Sequence, residues 1–364
     1  MRKTNSPLAV SRTVCKASLQ LSRCGIIVGG VLAAACAVFI PSAHADTKQT
    51  DTVHFSERGT VRQVKGTITD FNGQGLRILS PSGQERVISA ENVTRIETRR
   101  TPAQRAARLA AKAGQNAKAA STYYRLLQSA AESRGWVRRE ILNELVLALR
   151  ADGKYFQASK VFLALLGEDP GTPYFNAIPL VWTGGRTLLP QAESTAIEWL
   201  GSQRAAERFL AGSLLLGSKN AQQAERVLEA LKDSKREPMA SLAAAQLLRL
   251  RLPQATEKDI QACRQTINRL PLSLRGGPYY ILGRLYAARG KNREAAVAAM
   301  RVPILYSEDP NLAAESLLTA GKSMIQSGLV EDGQRIYSEL INTYPQSTAA
   351  NDAKQRKAAL NVLP

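Results

Sequence analysis

Apolar and polar positions near the C-terminal end of the chain keep step with a helix. Leu317, Ala320, Gly321 and Met324 fall at i, i+3, i+4 and i+7, one stripe of an amphipathic helix. Gly328 interrupts it, and a second stripe follows at Gly333, Ile336, Tyr337, Leu340 and Ile341. Pro345 closes the segment, because proline cannot donate to a continuing helix and disfavours helical geometry in the residue before it. The pattern predicts two short antiparallel helices. Gly321 and Gly333 let their backbones approach where larger side chains would hold them apart. A pair of this size cannot bury its apolar stripes alone, so it calls for neighbours of the same kind.

Those neighbours are present. Counting from Gly328, the marks fall five, nine, twelve and seventeen residues on, at Gly333, Tyr337, Leu340 and Pro345. The same offsets from Gly153 give Ala158, Phe162, Leu165 and Pro170, and from Gly290 they give Ala295, Ala299 and Val302 with the proline delayed to Pro310. Gly114 leads to Ala119, Tyr123 and Leu126, and Lys219 leads to Ala224, Leu228 and Leu231. Seven residues before each start stand Gly321, Val146, Gly283, Ala107 and Gly212, mostly small. This small–large–small code resembles the tetratricopeptide repeat, a helix-turn-helix unit with a small residue at the contact of its two helices and a proline at its exit. The resemblance implies an α-solenoid of antiparallel helix pairs over 99–348, clearest at 138–170, 279–310 and 312–345. Residues 239–271 are helical without the frame. The segment 349–364 reads as a capping helix and tail, since a terminal repeat must offer water a polar side.

Ahead of the helices the period changes. Within 53–98, residues 61–64, 67–69, 76–79, 87–88 and 93–96 alternate or cluster as five short strands, with turns at Asn72-Gly73-Gln74-Gly75 and Pro81-Ser82-Gly83. The Gly66-Thr67-Ile68 and Ala90-Glu91-Asn92 steps resemble those of Sm-like and SH3-like small β-barrels. Such a module either binds a ligand or docks on the solenoid. Thr101-Pro102 then suits a helix start, with threonine as cap and proline in the first turn. One break interrupts the helices, Gly167 to Pro190, whose Tyr174, Phe175 and Trp182 are too apolar for a free linker. It reads as an ordered loop, either filling a gap in the array or contacting a partner.

The first 45 residues carry Arg2, Lys3, Arg12, Lys16 and Arg23 without an acid, then an apolar run from Ile26 to Ile40. Ala43-His44-Ala45 before Asp46 is a small-x-small cleavage signal, so the expectation is a signal peptide over 1–45 and export to the periplasm or cell envelope. The run is shorter than the ~20 residues of a membrane span. Two alternatives stay open: an uncleaved N-terminal anchor, and lipidation at Cys36. Cleavage would remove Cys15, Cys24 and Cys36 and leave Cys263 alone, so the fold would stand on packing without a disulfide.

Charge adds direction. The chain carries +19, or +14 without the leader's five cations. Residues 99–150 hold eleven basic residues against three acidic ones, whereas 303–364 hold five against seven. Arg105, Arg108, Arg138 and Arg139 are the candidate contacts for an anionic partner. An export signal, and only Phe55 and Phe71 as aromatics within 53–98, argue against nucleic acid. Without the leader one histidine (His54) and one cysteine remain, which supplies neither a zinc site nor a nucleophile–histidine–acid set. No cofactor is expected, and the reading is a non-enzyme. Tyr344-Pro345-Gln346-Ser347 followed by Ala349-Ala350-Asn351-Asp352-Ala353 resembles the closing phrase of envelope-resident tetratricopeptide proteins. That resemblance implies a scaffold that binds protein partners through its groove in envelope assembly or organisation. The alternative is a surface protein binding an anionic polymer or membrane through 99–150.

Overall fold

The computed structural model describes residues 50–129, 132–184 and 188–360. Cys36, Ala43, Ala45 and Asp46, on which the leader's cleavage and lipidation readings rest, lie outside them. Among the described residues no helix is long and apolar enough to cross a membrane.

Five antiparallel strands come first: β1 (Asp51–Glu57), β2 (Thr60–Asn72), β3 (Gly75–Leu79), β4 (Glu85–Ile88) and β5 (Val93–Glu97), in the order β4-β3-β2-β1-β5. The two strands expected at 61–64 and 67–69 are halves of one. β2 pairs with β1 up to Gly66 and with β3 from Thr67 onward, bending where it changes partner. β1 was not among the expected strands, although Val53 and Phe55, both buried, alternate with His54 and Ser56 in the period of a strand. The sheet is open, which corrects the expected barrel. β4 ends after four residues, and the turn Ala90–Asn92 carries the chain directly to the free edge of β1. Side chains instead link β4 to β1: Arg86 reaches Glu57 at 3.2 Å and lies 4.6 Å over the Phe55 ring.

The rest is helical, as expected: α1 (Pro102–Lys112), α2 (Asn116–Gln128), α3 (Gly135–Ala151), α4 (Tyr155–Glu168), α5 (Pro190–Leu200), α6 (Ala205–Leu215), α7 (Ala221–Asp233), α8 (Met239–Leu247), α9 (Glu257–Arg269), α10 (Gly276–Ala288), α11 (Asn292–Leu305), α12 (Pro310–Gln326), α13 (Val330–Thr343) and α14 (Thr348–Leu360). The Thr101 hydroxyl accepts from the Gln104 amide and Pro102 opens α1, so this helix starts where its cap predicts. Gly114, Gly153, Gly290 and Gly328 all sit in the turns between paired helices with φ between +70° and +86°, a left-handed conformation that costs a side-chain-bearing residue about 1–2 kcal/mol.

The frame reads out the packing. Ala119, Ala158, Ala224, Ala295 and Gly333 are buried on the second helix of their pairs, as are the residues four and seven positions later, larger in every pair except for Ala299. Residues 239–271 form a pair too, although without the frame. Leu248–Gln254 winds as a 3-10 stretch, and α9 begins with a capping box between Thr256 and Asp259. α5 is an extra helix outside the pairs, held by Trp199 stacking on Phe156 at 5.4 Å. α14 buries Ala349, Ala350 and Ala353 and turns Lys354 and Arg356 to water, the arrangement expected of a cap.

Candidate docking cleft

The array curls until its early and late repeats meet. At the end of α3, Arg150 pairs with Asp309 at 2.9 Å, and the Asn311 side-chain amide donates to the carbonyls of Arg150 and Ala151 at 2.9 and 3.1 Å. Beside this junction lies a cleft of about 1440 Å³. One wall is α1 and the linker before it, and the other is Tyr344 to Ser347 at the exit of the last helix pair. Arg105, Leu109 and Lys112 stand at i, i+4 and i+7 of α1 and all three line the cleft. Leu109 is 68% exposed, a large apolar side chain held in water between two cations.

Beneath that stripe is a polar network. Arg108 pairs with both Glu140 and Glu144, and Arg100 reaches Glu140 at 2.8 Å. Burial lifts the Glu144 carboxyl above its usual range, with Glu140 adding to the rise and Arg108 pulling against it. Burial and Glu144 likewise push the Tyr123 hydroxyl up. For Arg108 burial works against the charge, yet Glu140 and Glu144 together outweigh it. The network fixes α1 on α3 and leaves the cations of the stripe above it to face outward.

The four arginines singled out from the sequence therefore separate. Arg105 is exposed on the cleft wall and donates to the Arg100 carbonyl at 2.9 Å. Arg108 lines the same cleft but is committed to Glu140 and Glu144. Arg138 donates to the Leu127 carbonyl at 3.1 Å. Arg139 is an anchor of the β module, pairing with Asp70 and donating to the Phe71 carbonyl. Of the eleven cations in 99–150, Arg100, Arg108, Arg134, Arg139 and Arg150 are all in internal ion pairs. Sequence reasoning missed Leu109, Lys112 and the Tyr344–Ser347 wall, although the i, i+4, i+7 spacing of Arg105, Leu109 and Lys112 was there to be read.

The β module is docked rather than tethered. Besides Arg139, the Asp169 carboxylate accepts from the Gly73 amide at 3.0 Å, and Phe71 meets Tyr174 edge-on at 5.9 Å. A side chain at Gly73 would have its first carbon 2.2 Å from the Gly171 carbonyl oxygen, so the two backbones touch.

The inner face of the array does not form the continuous open groove that repeats of this kind suggest. The segment after α4 fills it as a strap. The Ala177 carbonyl accepts from Arg150 of α3, the Val181 amide donates to the Ser213 hydroxyl of α6 at 2.9 Å, and Trp182 presses on Gly277 of α10. Ile178, Leu180, Val181 and Trp182 are all buried. Of the two readings of 167–190, gap filling accounts for this stretch. Among the described residues no three His, Cys, Asp or Glu side chains gather as a metal site would require.

Tandem helix pairs that bury a small residue against a large one define a helical-repeat protein, a class that works through protein contacts and is typically non-enzymatic. Within it, residues 315–347 match the tetratricopeptide repeat family model, over the pair α12 and α13 where the frame is clearest. No curated protein matches the chain.

Proposed function

We propose that the protein is an exported scaffold of the cell envelope that holds an acidic segment of a partner protein in the cleft between its first and last repeats. The observation that carries this is the Arg105–Leu109–Lys112 stripe on a cleft of about 1440 Å³. An apolar anchor between two cations, facing a wall with Tyr344, suits a peptide that alternates apolar and acidic residues. The tetratricopeptide-type repeat supports a role in protein contacts, and the leader over 1–45 supports export.

A photo-crosslinking residue at position 109, applied in envelope extract, tests it. The expected result is a crosslinked protein through an acidic segment, lost in Arg105→Glu/Lys112→Glu. Crosslinking no stronger than at the exposed control position Val61 refutes the cleft. Transfer to a polymer or lipid instead would favour the second reading, an anionic surface bound through 99–150. That reading draws on the same exposed cations but is weakened by the five arginines already committed internally.

A further inference from the structure

Beside the strap lies an unfilled space, a cavity of about 370 Å³. Ile178, Leu180 and Trp182 of the strap form one side and Leu242 of α8 and Leu312 of α12 the other. Part of the wall, Asn176 together with Ile178, Leu180 and Trp182, thus comes from a segment that lies outside the repeating unit. At the mouth, Leu272 and Leu305 are 71% and 63% exposed, although both line an apolar space where burial would favour them. The volume lies within the ~300–1,000 Å³ of ordinary ligand pockets.

The surroundings of the mouth are polarised. Tyr306 lines the cavity, its ring 6.1 Å from that of Tyr279. Arg301 lies 4.8 Å over the Tyr279 ring and donates to the Tyr279 hydroxyl at 2.8 Å. Burial raises the Tyr306 hydroxyl while Arg275 and Arg301 pull against it, so both cations act on this side. Among the described residues neither arginine has a carboxylate partner; the Arg275 side chain donates to the Leu270 carbonyl at 2.7 Å. Asp309, whose amide bonds back to the Tyr306 carbonyl at 3.4 Å, is neutralised by Arg150, while Glu308 is exposed on the cavity wall.

We infer that this cavity is a second docking site, which takes a bulky apolar side chain from an extended segment of a partner protein, with an acidic residue beside it. The strap shows what the inner face accepts: an extended run of apolar side chains, Ile178 to Trp182, held by a few backbone hydrogen bonds. Arg275 and Arg301, which have no carboxylate partner among the described residues, supply the charge complement and outnumber Glu308, the exposed acid on the wall. Tyrosine, tryptophan and arginine around a desolvated pocket are also the composition in which binding energy concentrates. The inference rests on the reading of the protein as a protein-binding scaffold but uses a different surface from the α1 cleft.

The test is selection of a random-peptide display library on the full chain, followed by affinity measurement on the selected peptides. The expected consensus is an aromatic or leucine residue with a neighbouring acid. Binding should weaken by about tenfold or more, the effect of one hot-spot residue, in Leu272→Asp/Leu305→Asp and in Arg301→Glu. All three positions are exposed, so far-UV circular dichroism should not change. Arg105→Glu/Lys112→Glu should leave these peptides bound, which separates failure of this site from failure of the cleft. Recovery of no peptide, of a basic consensus, or of peptides indifferent to the mouth substitutions overturns the inference.

Discussion

Gly321→Ala is the sharpest test of how the helix pairs are held together. A methyl group there would lie 2.5 Å from Cε1 and 2.6 Å from Cδ1 of Tyr337, and 3.4 Å from the Gly333 carbonyl oxygen. Carbon atoms rest at about 3.5–4.0 Å, so the ring must retreat by roughly 1 Å. Tyr337 is 1% exposed and has no space to retreat into. Overpacking of this kind costs about 1–3 kcal/mol. Against it, alanine is favoured over glycine inside a helix by roughly 0.5–1 kcal/mol. Overpacking prevails, and the substitution should destabilise the C-terminal repeats by about 1–2 kcal/mol. The decisive measurement is the same change in a Tyr337→Leu background, where the ring is gone and only the propensity term remains. There Gly321→Ala should be neutral or stabilising, a reversal of sign. Urea denaturation followed by far-UV circular dichroism, with hydrogen exchange of α12 and α13 to localise the effect, reads both. Gly328→Ala is the control: its φ is +86° and a side chain would meet nothing within 4 Å, so its cost should be the same in both backgrounds. Stabilisation by Gly321→Ala in the parent chain, or an effect independent of Tyr337 to within about 0.5 kcal/mol, would refute the small-against-large account of the repeat.

Further outcomes follow from other sites. Arg139→Ala removes the β module's anchor on α3 and leaves Asp70 without its partner; protease nicking within 51–97 should rise well before the helices melt. Glu315 is held above its ordinary value of 4.5 by burial, with Arg284 and Lys322 pulling against it. A carboxyl raised in the folded state makes stability fall as pH rises from 4.5 through the folded value, because the folded chain holds more protons in that window. Glu315→Gln should therefore melt higher than the parent near neutral pH, and a gap that fails to close as pH falls toward 4.5 would contradict it. Burial pushes the Cys263 thiol up to about 12, so its tryptic peptide should stay unlabelled by maleimide in the native chain and label in concentrated guanidinium. Envelope material should begin at Asp46; a mass carrying acyl chains on Cys36 would place the protein among lipoproteins instead.

The helices were legible because their code is local. Within a pair, the small residue and the side chain it faces lie sixteen positions apart, as in Gly321 with Tyr337, Gly283 with Ala299 and Gly212 with Leu228. A fixed offset of that kind survives in a linear string. The open sheet was not legible, because closure depends on whether β4 and β5 meet, and nothing local decides it. The candidate cleft was half legible. Its cations were visible as an excess in 99–150, but the excess could not distinguish Arg105, which faces water, from Arg139, which holds Asp70 some seventy positions away. The second wall, Tyr344 to Ser347, belongs to the opposite end of the array and joins the site only because Arg150 and Asp309 draw the ends together.

That junction also explains why the inner face is filled. Arg150 binds the strap through the Ala177 carbonyl and the last repeats through Asp309, so one guanidinium ties three separated parts of the chain. A buried ion pair contributes little by itself, because desolvating both charges costs nearly what their attraction returns. Its value is in specifying where the curl closes, while the burial of Ile178, Leu180, Val181 and Trp182 supplies the stabilisation, about 1.5–3 kcal/mol for each large apolar side chain removed from water. A repeat array whose concave face is sealed by its own chain has given up the surface on which such arrays are usually read. What it offers instead lies at the edges of the seal, the α1 cleft on one side and the Leu272–Leu305 mouth on the other.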